Sequence, residues 1–188
     1  MIQRLFQNWV YGGVLAGVLL VLLMPALCVD WSLAVVAVFL QLPVYMLHQY
    51  EEHDDDRFRR FFNRTIGGGR EVLSPAAVFV INVPGVWGVI GVSFLLAKMA
   101  SLGFGLMAVY LTLVNAVVHV IATLGSRAYN PGLVTAILLF LPSSVFGLWA
   151  FNHAGGVGWG SHVLGLGVGI GIHAVIMVYV RLQRAARG

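Results

Sequence analysis

The sequence predicts an all-α polytopic membrane protein, a single bundle of six transmembrane helices with both termini cytoplasmic. Three observations carry that expectation. Of the 188 residues, 60% are hydrophobic and only 10% charged, with a mean hydropathy of +0.91; soluble domains carry about 25% charged residues. Residues 5–29, 31–50, 72–97, 99–126 and 128–180 contain no Asp, Glu, Lys or Arg. A helix crosses the hydrocarbon core with roughly 20 apolar residues, so the first four runs hold one span each and the last holds two. Finally, with six spans, Arg4, the five arginines from Arg57 to Arg70, Arg127, Arg181, Arg184 and Arg187 fall on one side and Lys98 alone on the other. That asymmetry sets the cytoplasmic face.

The expected spans are 7–28, 31–51, 76–97, 102–124, 132–151 and 162–182, within one domain covering residues 1–188. The first is an apolar run after Arg4, too long for a typical signal-peptide core and therefore expected to remain as a span. Gly12, Gly13 and Gly17 mark a close-packing face on it. Cys28 is the single cysteine, which excludes an internal disulfide and a cysteine metal cluster. Asp30 or Ser32 caps the second span, which carries Pro43 a turn before His48. Residues 54–70 alternate arginine with phenylalanine and end on Gly67-Gly68-Gly69, which predicts a short amphipathic helix on the inner membrane surface. Ser74-Pro75 opens the third span as cap and first helical residue. Asn130-Pro131-Gly132 turns the chain into the fifth, and the glycine-rich stretch around Gly155 and Gly158 divides the fifth from the sixth. Gly165, Gly167, Gly169 and Gly171 let another helix approach the sixth, within the chain or in a homo-oligomer. The basic pI of about 9.6 follows from topology and excludes a nucleic-acid patch.

Chemistry concentrates where the second span meets the cytoplasmic boundary. Ionisable residues in a membrane segment mark function by default. His48, Glu51 and Glu52 share one helical face at spacings of three and four residues, whereas His53 is expected to point elsewhere. His48 lies nine residues before Arg57, His119 eight before Arg127, and His173 eight before Arg181. At 1.5 Å per residue all three histidines sit roughly 12 Å inside the boundary. His153 and His162 flank the outer loop instead. Two adjacent carboxylates in a low-dielectric bundle repel unless cations compensate. His48, Glu51, Glu52, His119 and His173 are therefore the expected ligands of one or two divalent metal ions. Nitrogen and oxygen donors without thiolate suit zinc, iron or manganese. Asn115, Asn82 and Tyr129 are candidates for supporting or substrate contacts. Glu51 and Glu52 are the candidate catalytic groups, one as ligand and the other as base.

At these positions, His48-Gln49-Tyr50-Glu51-Glu52 resembles the motif of the HXXEE family of small bacterial membrane proteins. Asn115 and His119, then Tyr129-Asn130-Pro131-Gly132, an apolar run and Leu141-Pro142, are similar to the rest of that family's pattern, over most of residues 40–180. The resemblance implies a role for His48, Glu51 and Glu52 and a place in the bacterial inner membrane; it supplies no reaction. The residues point to a metalloenzyme acting on a lipid or other hydrophobic substrate near the cytoplasmic leaflet, by hydrolytic or other Lewis-acid chemistry in preference to di-iron oxidation. Two alternatives stand beside it. One is a haem protein with His119 and His173 as axial ligands. The other is a proton-coupled transporter or channel with Glu51 and Glu52 as a relay.

Overall fold

A computed structural model describes residues 1–187, and among these every regular element is helical. Six helices are long and apolar enough to cross a membrane, so the chain is a multi-pass membrane protein. In chain order the helices are α1 (Ile2–Leu27), α2 (Leu33–His53), α3 (Arg57–Thr65), α4 (Pro75–Met99), α5 (Leu102–Ser126), α6 (Leu133–Ala154) and α7 (Trp159–Ala186). All but α3 are spans.

Helix α2 is the centre of the bundle. It packs against α1, α4, α5 and α6, and more of it is buried than of any other span. Its start is set by Ser32, whose hydroxyl accepts from Val35 N–H, one of the donors a helix start leaves without a partner. Gly17 brings α1 against it: a Cβ there would lie 2.9 Å from Met46 Cβ and 3.1 Å from the Pro43 carbonyl oxygen. Gly13 similarly admits the Trp87 ring, whereas Gly12 faces open space. Helix α7 seats Gly165 and Gly169 on the backbone of Leu106 and Tyr110 in α5. That glycine face is used inside the chain, whereas Gly167 and Gly171 look outward.

The chain leaves α2 sharply. Asp55 and Asp56 adopt left-handed backbone angles, φ 51° and 57°, a conformation that Asp tolerates better than most residues. The turn lets Arg57 pair with Asp54, and Arg59 with Asp56 and with Glu71 at 2.8 Å. Helix α3 is amphipathic, but its aromatic face does not lie flat on lipid. Phe62 is buried among Val72, Leu73 and Val180, with Phe58 packed on the same cluster. The loop beyond is tied by one side chain: Asn63 Oδ1 accepts from Val72 and Leu73 N–H, and its amide donates to the Leu73 carbonyl.

Both α4 and α6 contain π-helical turns, at Ile81–Trp87 and Ala136–Phe140. Each lies beside the polar cluster on α2, the setting in which such bulges recur. The middle of the bundle also holds a buried polar layer that hydropathy alone conceals. Gln41, Ser93, Thr112, Ser143 and Ser144 are all inside, with Gln41 donating to the Ala37 carbonyl at 2.9 Å and reaching Ser143.

Candidate metal centre

His48, Glu52 and His119 form the centre. Each is buried, and one ligand atom from each lies within 4.8 Å of the others. Glu52 is the hub: its carboxylate is 3.7 Å from His48 Nε2 and 3.6 Å from His119 Nε2. Both separations are too long for hydrogen bonds. They match donors around a shared ion, because ligands at ~2.1 Å in a tetrahedral shell sit about 3.4 Å apart. His48 Nε2 is buried without any hydrogen-bond partner, which in a dry interior is costly. Donor type, spacing and the orphaned nitrogen all fit a divalent ion.

The hydrogen bonds around His48 fix its tautomer. Glu51 can only accept, so Thr135 donates its hydroxyl proton to Glu51 Oε2. The same hydroxyl must then accept from His48 Nδ1, 2.8 Å away. His48 consequently carries its proton on Nδ1 and turns the Nε2 lone pair toward Glu52. The ring is clamped by Phe140, whose centroid is 4.0 Å away, and meets His119 edge-on at 4.9 Å.

Glu51, expected as a ligand or base, lies outside the three-residue group. Its two oxygens accept from Tyr129 Oη at 2.6 Å, Val134 N–H at 3.1 Å, Thr135 N–H at 2.7 Å and the Thr135 hydroxyl. It caps α6 from a neighbouring helix, where a carboxylate meets unpaired N–H groups and the positive end of the helix dipole. Helical spacing put Glu51 on the His48 side but could not say that α6 would start there. Tyr129 accordingly supports Glu51 and not the three-residue group.

His53 reverses its expected exclusion. Its Nε2 stands 3.1 Å from Glu52 Oε2, close but out of line for a hydrogen bond, with Trp9 and Phe58 packed on the ring. The Asp54–Asp56 turn ends α2 at this residue, so periodicity no longer keeps His53 and Glu52 apart. His173 lies outside the three-residue group but lines the same cavity. Its Nδ1 donates to the Gly169 carbonyl at 2.8 Å, which leaves Nε2 as the acceptor. Asn115 donates to Tyr45 Oη at 2.5 Å. Asn82 accepts from Gln49, whose oxygen accepts from Trp87 Nε1. Both asparagines hold the wall of the cavity.

Three contributors had no signal in helical spacing. Thr135 sets His48, Asn130 is buried against the cavity, and Gly132 lies directly over the histidines. A Cβ on Gly132 would be 2.7 Å from His119 Cε1 and 2.8 Å from His48 Cε1, and its φ of +98° suits glycine. Asn130-Pro131-Gly132 reads as a turn in sequence; the structure makes it the lid of the centre. The cavity itself measures about 380 Å³ and runs from Glu52, His119 and His173 between largely apolar walls.

A family model described as "Protein of unknown function with HXXEE motif" matches residues 39–150, more than half of the chain. The chain belongs to the HXXEE family. No curated protein and no solved structure matches it. In this HXXEE protein the motif's histidine and second glutamate enter the three-residue group, and its first glutamate holds the lid.

Outside the spans, burial together with the adjacent Glu51 carboxylate pushes the Tyr129 hydroxyl up to about 12. A tyrosine whose pKa is raised on folding contributes stability that is complete below the unfolded value, near pH 10, and is lost as pH rises through the folded value. The Tyr129–Glu51 bond is therefore expected to be unaffected by pH from neutrality to pH 10. The 295-nm absorbance should show one fewer phenolate at pH 11 in the native protein than in Tyr129→Phe plus one free tyrosine. Equal phenolate counts would contradict this environment.

Proposed function

We propose that this HXXEE protein is a metal-dependent membrane enzyme that hydrolyses a hydrophobic substrate near the cytoplasmic leaflet, with both termini cytoplasmic. The supporting observation is the buried His48–Glu52–His119 group at the end of an apolar cavity. Bound there, zinc, iron or manganese would polarise a substrate carbonyl and acidify a water. The protein's own groups have distinct tasks. His48, Glu52 and His119 hold the ion. Glu51 and Thr135 keep the His48 lone pair aimed at it. His173, with Nε2 left as an acceptor across the cavity, takes the proton from the attacking water and returns it to the alkoxide or amine that leaves as the carbonyl's C–O or C–N bond breaks.

Water has its own approach. A second cavity of about 230 Å³, lined by Gln7, His53, Asp56 and Arg59 and by apolar groups that include Trp9 and Val10, also borders His53. A partly polar cavity on one side of His53 and an apolar one on the other suit hydrolysis of a membrane-borne compound better than oxidation. A haem held between His119 and His173 fits less well, because His119 Nε2 is already directed at Glu52 and its ring packs on His48.

Elemental analysis of detergent-purified protein tests the reading. The expected result is on the order of one zinc, iron or manganese per chain, lost in His119→Ala and in His48→Ala and kept in His153→Ala. Wild-type protein reconstituted with each of these ions and still metal-free after desalting would refute it.

A further inference from the structure

The cavity constrains what the site acts on. Helix α7 packs along α5, and no extensive packing joins it to α4, yet residues of α4 and α7 both line the cavity. Its cytoplasmic end is shut, since Val180 joins Val72, Leu73 and Phe62 in a buried cluster. Glu71 bridges that end, pairing with Arg59 at 2.8 Å and with Arg187 at 3.6 Å. Between that end and the level of the histidines the lining turns outward, with Ile121 on α5 63% and Met177 on α7 37% exposed. A ligand therefore enters sideways from lipid.

Its head and its size follow from the walls. Among the described residues no lysine or arginine lines the cavity, so apart from the proposed ion no cationic partner of the kind that binds phosphate is at hand. Asn130 Oδ1 is buried without a partner and calls for a hydroxyl or N–H donor. A volume of about 380 Å³ lies at the low end of the roughly 300–1,000 Å³ typical of ligand sites. It has room for one chain beside the head, not two.

We propose that the cavity binds a single-chain amphiphile with an uncharged ester or amide head bearing a hydroxyl, entering between α4 and α7. The chain lies along Val118, Ile121, Ile176 and Met177; the hydroxyl donates to Asn130, and the carbonyl faces His119 and Glu52. The last contact rests on the metal reading above.

The test uses wild-type protein in phosphatidylcholine vesicles and a monoacylglycerol carrying a diazirine in its chain. Crosslinks are expected within 118–122 and 172–177, competed by unlabelled monoacylglycerol about tenfold better than by lysophosphatidic acid or diacylglycerol. Crosslinks spread over the outer faces of α1 and α7, or equal competition by the three lipids, would overturn the proposal. Ile176→Trp should suppress the labelling several-fold with helical circular dichroism unchanged; a folded Ile176→Trp labelled like wild type also overturns it. Should that variant not fold, the wild-type competition decides alone. Metal content and labelling measured on the same wild-type preparation separate the two readings. Normal metal content without specific labelling defeats this inference alone, whereas specific labelling in a protein that takes up no metal defeats the metal reading alone.

Discussion

Glu52→Ala is expected to hold less than about a tenth of the wild-type metal, and to lose the stabilisation that metal confers. Glu52 is 6% exposed and sits between His48, His119 and His53 at 3.7, 3.6 and 3.1 Å. An ionised carboxylate there costs several kcal/mol of desolvation unless a positive charge meets it. A metal ion can supply that charge, and so can protonated histidines, but the two arrangements respond differently to chelation. With metal at a hundredfold its Kd, binding stabilises the fold by about 2.7 kcal/mol. A chelator should therefore lower the melting midpoint of wild type and leave that of Glu52→Ala unchanged. Glu52→Gln preserves shape but removes the charge and one acceptor oxygen, and should behave like Glu52→Ala in metal content. A wild-type midpoint indifferent to chelator and to added zinc, iron and manganese would mean that the cluster is closed by protons alone.

The contrast between Glu51 and Glu52 shows what was legible in the sequence. Uncharged runs and arginine positions placed six helices, because the bilayer imposes length and polarity on each span independently of its neighbours. Counting back from the arginines put His48, His119 and His173 at one depth, and all three meet the same region of the bundle. Depth is a one-dimensional quantity that sequence carries well. Direction is not. The faces of α2 are fixed by helical periodicity, but what each face meets depends on where α6 begins. Glu51 met the start of α6 and became a cap, while Glu52, one residue on, became the hub. His53 was hidden for a related reason, since periodicity stops applying where Asp55 and Asp56 reverse the chain. Thr135 and Gly132 act across more than eighty residues of sequence, and no local pattern encodes such a pairing.

The Glu51–Thr135–His48 chain predicts that a residue with no place in the metal group controls metal affinity. Thr135→Val keeps the shape of the side chain and removes the acceptor that holds the proton on His48 Nδ1. His48 can then present Nε2–H to the site, a donor where a lone pair is needed, and affinity should fall about 10- to 100-fold, as for other outer partners of histidine ligands. Thr135→Ser restores the hydroxyl and should restore affinity. Glu51→Ala has a broader effect. It strands the N–H groups of Val134 and Thr135 and the Tyr129 hydroxyl, so it should cost about 3 kcal/mol in stability as well as affinity, given ~1.5–3 kcal/mol for each hydrogen bond to a charged group and partial replacement by water. Tyr129→Phe removes one of those bonds without touching Thr135, and should leave metal affinity near wild type. The diagnostic is the split between the two measurements. If Thr135→Val binds zinc as tightly as wild type in a competition titration, the hydroxyl does not set the His48 tautomer. If it loses affinity with its melting midpoint in chelator unchanged, Thr135 acts on the ligand and not on the fold.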